Sequence, residues 1–289
     1  MTIDELKSLL SRFHIKPSHK LGQNFLLSDK ALEEIVNAAE LKSTDTVLEI
    51  GPGLGVLTAK LGQGAGLVLA VEKDYKLVNA LRKLFKGKKN IKIMQGDALF
   101  LDTHELRMGF ENTNPSHSHV RKDSHFVSYK VVANIPYYIT GKLLQNFLTS
   151  EFKPSLIVLL LQKEVAERMV ALPGEMSILS VSVQFYAAAE IVSIVPRKDF
   201  YPSPEVDSAI IKLKILEKPK IDAEEKKFFR LVKIGFAGKR KQLHNNLSAG
   251  LGAGEDYKKI LESIGLNPLC RAQDLSLEDW GKLYRQLNV

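Results

Sequence analysis

Apolar residues along this chain alternate between two rhythms. Short aliphatic runs, Val47–Ile50, Leu67–Val71, Ile91–Met94, Tyr129–Ala133 and Leu156–Leu161, read as buried strands. Between them apolar positions recur at helical spacing: Leu32, Ile35, Val36 and Ala39, then Leu77, Ala80, Leu81 and Leu84. Thr2 and Glu5 fit a capping box ahead of Leu6, Leu9 and Leu10, which predicts a helix over 2–12. Further helices are predicted from Ser28, up to about Leu61, from Thr140 through Leu148, and from Met176 to Ala187. Glu190–Val195 and Ser208–Leu213 add two β-rich segments. The strand–helix alternation predicts a doubly wound, mostly parallel sheet, and the adjacent final pair predicts one antiparallel edge.

From about Lys218 the rhythm becomes helical throughout. Lys226–Lys241 holds seven Lys or Arg and no acid, with Phe229, Val232 and Phe236 as its apolar stripe. Helices are also predicted over Tyr257–Ile264 and Leu277–Leu287. The expected division is therefore 1–216, an α/β domain, and 217–289, a small basic helical domain. Residues 102–128 break the pattern with Asn114-Pro115, several serines and His104, His117, His119 and His125, and read as a polar surface insertion. Those histidines lack regular ligand spacing, so no metal site is expected.

A formal net charge of +8 over 289 residues points to an anionic partner. Cys270 is the only cysteine, which excludes an intrachain disulfide or a cysteine metal cluster and suits a reducing cytoplasm. Met1–Leu10 carries Asp4 and Glu5 and lacks the order of a signal peptide. Leu156–Leu161, the longest aliphatic run, is too short to span a bilayer. No membrane association is expected, and a monomer is the default because nothing reads as a dimerisation stripe.

The chemistry gathers at the strand ends. Gly51-Pro52-Gly53-Leu54-Gly55 follows the first long strand, whose end contains Glu49. A dinucleotide fingerprint would need its third glycine at Val56, so that ligand does not fit. The next strand ends in Glu72, where a carboxylate can take both hydroxyls of a ribose. The third runs into Gln95-Gly96-Asp97-Ala98, suited to an adenine edge. This succession resembles the class I S-adenosylmethionine-dependent methyltransferases and implies S-adenosyl-L-methionine as cofactor.

The fourth strand ends in Asn134-Ile135-Pro136-Tyr137. An adenine N6 is a poor nucleophile because its lone pair is delocalised into the ring. The Asn134 side-chain carbonyl and the backbone carbonyl of Ile135 or Pro136 can accept its two N–H bonds and hold it in line with a methyl donor. Pro136 fixes the turn, Tyr137 can stack on an extruded base, and Phe200, on a loop stiffened by Pro202 and Pro204, can cover its other face. A core aromatic is the competing reading of Phe200.

With these residues placed, the chain resembles the small-subunit rRNA adenine-N6,N6-dimethyltransferase family. The likeness rests on Leu21–Leu26, the glycine turn, Glu72, Gly96–Ala98, Asn134–Tyr137, Gln162–Ala166, Phe200–Ser208 and Lys239–Leu247. It implies dimethylation of two adjacent adenosines in a hairpin loop near the 3′ end of 16S rRNA, late in assembly of the small ribosomal subunit. It implies that Asn24 and Leu26 close over the cofactor, that Gly51, Gly53, Glu72, Asp97 and Asn134 complete its pocket, and that Lys239, Arg240 and Lys241 meet RNA. Departures are Tyr138 where Asn is frequent, Lys239 where Arg is common, and the long 102–128 insertion. The rival readings are a large-subunit rRNA methyltransferase of the resistance type and a mainly non-catalytic ribosome-assembly factor.

Overall fold

The computed structural model describes residues 1–18, 22–101, 106, 110, 128–136 and 139–288. Helix α1 (Ile3–Arg12) opens with the predicted capping box: the Glu5 amide donates to Thr2 Oγ1 at 3.2 Å and the Thr2 amide to Glu5 Oε2 at 2.7 Å. A short strand, β1 (Phe25–Leu26), leads to α2 (Asp29–Ala38), capped by Ser28. Then come β2 (Thr46–Ile50), α3 (Val56–Gly64), β3 (Leu67–Glu72), α4 (Tyr75–Leu84) and β4 (Ile91–Gln95). After the insertion, β5 (Tyr129–Asn134), α5 (Thr140–Thr149) and β6 (Leu156–Gln162) continue the alternation. Helices α6 (Lys163–Met169) and α7 (Ile178–Tyr186) precede β7 (Ala187–Val195), β8 (Phe200–Tyr201) and β9 (Ser208–Ile215).

Among the described residues seven strands form one sheet in the order β4-β3-β2-β5-β6-β9-β7. β2 runs parallel to β3 and β5, β5 parallel to β6, and β9 antiparallel to β6 with Leu156 opposite Lys214. Every residue of β2 and β3 is buried, because helices cover both faces of a parallel sheet. The antiparallel edge is thus present as expected. The chain leaves β2 toward β3 on one side and later returns to β5 on the other, so the strand order reverses at β2. That reversal opens a crevice at the carboxyl ends of the strands.

The chain divides into two compact units, 1–166 with 190–215, and 167–189 with 216–289. The expected junction at 216/217 lies one residue from the observed one, but assigning 167–189 to the α/β domain was incorrect. The reason is aromatic packing. Phe185, fully buried, stacks on Phe228 with ring centroids 4.9 Å apart, and the Tyr186 hydroxyl donates to Glu225 Oε2 at 2.8 Å. Gln273 also ties down the 174–176 loop through its carbonyl and side-chain amide. The second unit contains α8 (Glu225–Gly235), α9 (Leu243–Leu251), α10 (Tyr257–Ser263) and α11 (Leu277–Leu287). Its α8 buries Phe228, Leu231 and Val232; Phe229 and Phe236 are only half-buried, which corrects the expected stripe.

Candidate active site

The sheet sequence places four segments side by side at one crevice. The turn after β2 depends on left-handed backbone at Gly51, Gly53 and Gly55, with φ of +64°, +59° and +82°. At Gly55 a Cβ would also stand 2.5 Å from the Phe85 ring, so any larger residue must displace that ring or the turn. The Gly51 amide donates to the Val71 carbonyl at 3.0 Å, extending the β2–β3 pairing into the turn.

Glu72 ends β3 and holds this turn in place. Its Oε2 accepts from the Gly53 amide at 3.3 Å and its Oε1 from the Asp74 amide at 2.8 Å. Burial pushes its carboxyl up from the usual range, and those two amides pull it part of the way back. Beyond β4, Asp97 accepts from the Leu99 amide at 3.1 Å and pairs with the Lys73 ammonium at 2.8 Å. Partial burial works to raise the Asp97 carboxyl, yet Lys73 and the Leu99 amide together hold it below its usual value. At the end of β5, Asn134 Nδ2 donates to the Asn24 carbonyl at 3.2 Å.

One pocket, wholly within the first unit, is lined by Asn24, Leu26, Gly51, Gly53, Glu72, Asp97, Asn134 and Pro136. These are the eight pocket residues expected from sequence that the structure describes. Tyr137 lies outside the described residues, as do Leu21, Tyr138 and the four histidines of the insertion. Phe200 is not brought to the pocket. It is 4% exposed and packs in the core with Leu26 and Leu32, because β8 pairs with β1 and sets Phe200 opposite Leu26. The core reading of Phe200 describes this structure, and the stacking role does not.

Lys239, Arg240 and Lys241 belong to the second unit and are exposed, but no helix carries them. They occupy the turn between α8 and α9, where the Lys241 amide donates to the Gly238 carbonyl at 2.9 Å. Asn246, 5% exposed, braces that turn by donating to the carbonyls of Gly235 at 2.6 Å and Gly238 at 3.2 Å.

Three polar pocket residues had no role in the sequence analysis. Gln23 lines the pocket and donates to Asp74 Oδ2 at 3.4 Å. Lys73 is the partner of Asp97. Glu49 lines the pocket although it is 1% exposed. An acid inside an otherwise aliphatic strand was the available signal for the last. Among the described residues no group of three or more His, Cys, Asp or Glu could hold a metal, and no helix is long and apolar enough to cross a membrane.

The crevice fits S-adenosylmethionine on its own terms. Its glycine turn admits a ligand to the backbone, successive strand ends offer a carboxylate for a ribose and another for an adenine amine, and a buried carboxylate oxygen, Glu49 Oε2, has no partner. Fold and pocket together define a class I S-adenosylmethionine-dependent methyltransferase.

The comparisons narrow the class. Residues 15–288 match the model of the ribosomal RNA adenine dimethylase family. A ribosomal RNA small subunit methyltransferase A from Dehalococcoides mccartyi is 42% identical over 96% of this chain and 91% of its own length. A protein of the same description from Nostoc is 38% identical over 95% and 99%. Among solved structures, a dimethyladenosine transferase from Plasmodium falciparum superposes with a TM-score of 0.74 at 28% identity, covering 91% of this chain and 97% of that one. The 23S rRNA methyltransferase ErmE gives 0.71 at 25% identity, covering 92% and 100%. The chain belongs to the ribosomal RNA adenine dimethylase family.

Proposed function

We propose that this enzyme dimethylates N6 of two adjacent adenosines in a hairpin loop near the 3′ end of 16S rRNA, within the small ribosomal subunit, during late subunit assembly. The observation that carries the chemistry is the orientation of the Asn134 amide. A backbone carbonyl only accepts, so the bond to Asn24 turns Nδ2 toward Asn24 and leaves Oδ1 as an acceptor in the pocket wall.

The cofactor supplies an electrophilic methyl group. Asn134 Oδ1 accepts one N–H of the target amine, and the Pro136 carbonyl, which also accepts from the Ile139 amide at 3.2 Å, is placed to accept another. These acceptors stabilise positive charge as it grows on the nitrogen, and no strong base is needed. Tyr137 stacks on the base after it leaves its own stack. Glu72 holds the ribose hydroxyls, Asp97 the adenine amine, and Asn24 and Leu26 cover the cofactor. Lys239, Arg240 and Lys241 supply phosphate contacts on the RNA. The enzyme acts in the cytoplasm as a monomer.

The small-subunit target is favoured over the large one by the identity levels, since the ErmE superposition shows that the fold serves both. The test is methyl transfer from labelled cofactor to unmethylated small subunits, large subunits and naked rRNA, with the product mapped. Dimethyladenosine at two neighbouring positions in small subunits alone is expected. Label in the large subunit overturns the target, and no label on any RNA leaves an assembly factor.

A further inference from the structure

Glu49 is a buried acid for which the methyl-transfer scheme has no use. It is the fourth residue of β2, and its register neighbours on the flanking strands, Ala70 and Val132, are apolar. It is 1% exposed and lines the cofactor pocket, and its Oε2 makes no hydrogen bond. Two groups face it. The Thr58 hydroxyl of α3 lies close enough to favour the charged form without making a well-aligned bond, and the Glu72 carboxylate of β3 bears the same charge. Among the described residues lining the pocket the cation is Lys73, which is paired with Asp97 at 2.8 Å. A buried carboxylate with a like charge beside it and no cation is strongly disfavoured. Burial, reinforced by Glu72 and partly offset by Thr58, pushes the Glu49 carboxyl up to about 8, so it holds its proton at neutral pH.

The ligand changes this balance. S-adenosylmethionine carries two cationic groups, a sulfonium and an α-ammonium, against one carboxylate. Glu72 is bonded to Gly53 and Asp74, and Asp97 to Lys73 and Leu99. Among the described residues lining the pocket, Glu49 is the acid whose buried oxygen has no protein partner.

We propose that cofactor capture is coupled to proton release: the O–H bond of Glu49 breaks, the proton leaves to solvent, and the carboxylate pairs with the cationic methionyl end of S-adenosylmethionine. The coupling rests on the cofactor reading of this pocket. It makes affinity rise with pH, about tenfold per unit well below the carboxyl's own titration point and flat above it. Glu49 then serves as a sensor that the site contains a charged ligand.

The test is titration calorimetry of the full-length protein with S-adenosylmethionine at pH 7, repeated in buffers of different ionisation enthalpy. Close to one proton should be released per cofactor bound by the wild type, and none by Glu49→Gln, whose affinity should be flat between pH 6 and 8. S-adenosylhomocysteine separates the two cations: release with both ligands assigns the ammonium, and release with the sulfonium compound alone assigns the sulfonium. Equal release by wild type and Glu49→Gln, or none by the wild type, overturns the coupling. A measurement on the wild type alone covers a variant that fails to fold. The infrared band of a protonated buried carboxyl should vanish on cofactor addition, and a persistent band overturns the proposal. Glu72→Gln guards the underlying reading, since cofactor affinity indifferent to both substitutions would move the cofactor elsewhere.

Discussion

The side-chain amide of Asn134 is bonded at 3.2 Å to the main-chain carbonyl of Asn24, joining the acceptor proposed for the target amine to the segment proposed to cover the cofactor. The bond fixes which end of the amide faces the pocket. It also makes closure over the cofactor and orientation of the target amine parts of one arrangement.

Asn134→Ala is therefore expected to lower kcat by about 100-fold or more, the scale of removing one preorganised partner of a developing charge. Cofactor affinity should stay within a few-fold. Single-turnover methyl transfer with parallel cofactor titration checks this, and a fully active variant would sink the mechanism.

Gly55→Ala should destabilise the protein by at least about 1–3 kcal/mol, the cost of a left-handed non-glycine residue, before the Phe85 clash is added. Thermal melts of the apo protein measure it. A variant melting with the wild type would mean that the turn relaxes freely.

Glu49 also makes stability depend on pH in a defined direction. Its carboxyl titrates near 4.5 when exposed in the unfolded chain and near 8 in the fold. Between those values the unfolded chain binds fewer protons than the native one, so this group's contribution is complete below about 4.5 and is lost as pH rises toward 8. Apo Glu49→Gln should accordingly gain on the wild type as pH rises through that window. Parallel melting curves across pH would refute the assignment.

Neutralising Lys239, Arg240 and Lys241 together should weaken binding to small subunits and flatten its dependence on salt. Loss of three phosphate contacts corresponds to about two units of slope in log affinity against log salt. Cofactor binding should not change. An unaltered slope would put the RNA surface elsewhere.

The parts of the site legible in the sequence are those fixed by local order. The glycines follow a strand that is aliphatic apart from one acid, Glu72 and Asp97 close the next two strands, and Asn134 and Pro136 close the fourth. Each is set by its own strand end, and the parallel sheet aligns those ends automatically. What escaped depends on partners distant in sequence. Phe200 reads equally well as a stacking residue or a core residue until β8 is found paired with β1. Residues 167–189 look like a continuation of the α/β rhythm, and only the packing of Phe185 on Phe228 moves them to the other unit. The Lys239–Lys241 run adjoins helical periodicity on both sides, yet Asn246 braces it as a turn. Glu49 was visible as an acid in a strand, but its missing partner is a fact of three dimensions.

The pairing of β1 with β8 has a consequence for how the protein is made. One strand of that ribbon, Phe25–Leu26, leaves the ribosome ahead of every strand of the main sheet, and the other, Phe200–Tyr201, emerges only after all of them except β9. The central parallel strands can assemble on the nascent chain, since domains fold as their residues are synthesised. The wall formed by Asn24 and Leu26 has no strand to pair with until much later. Translation thus imposes a delay between the birth of the sheet and the birth of a closed cofactor pocket.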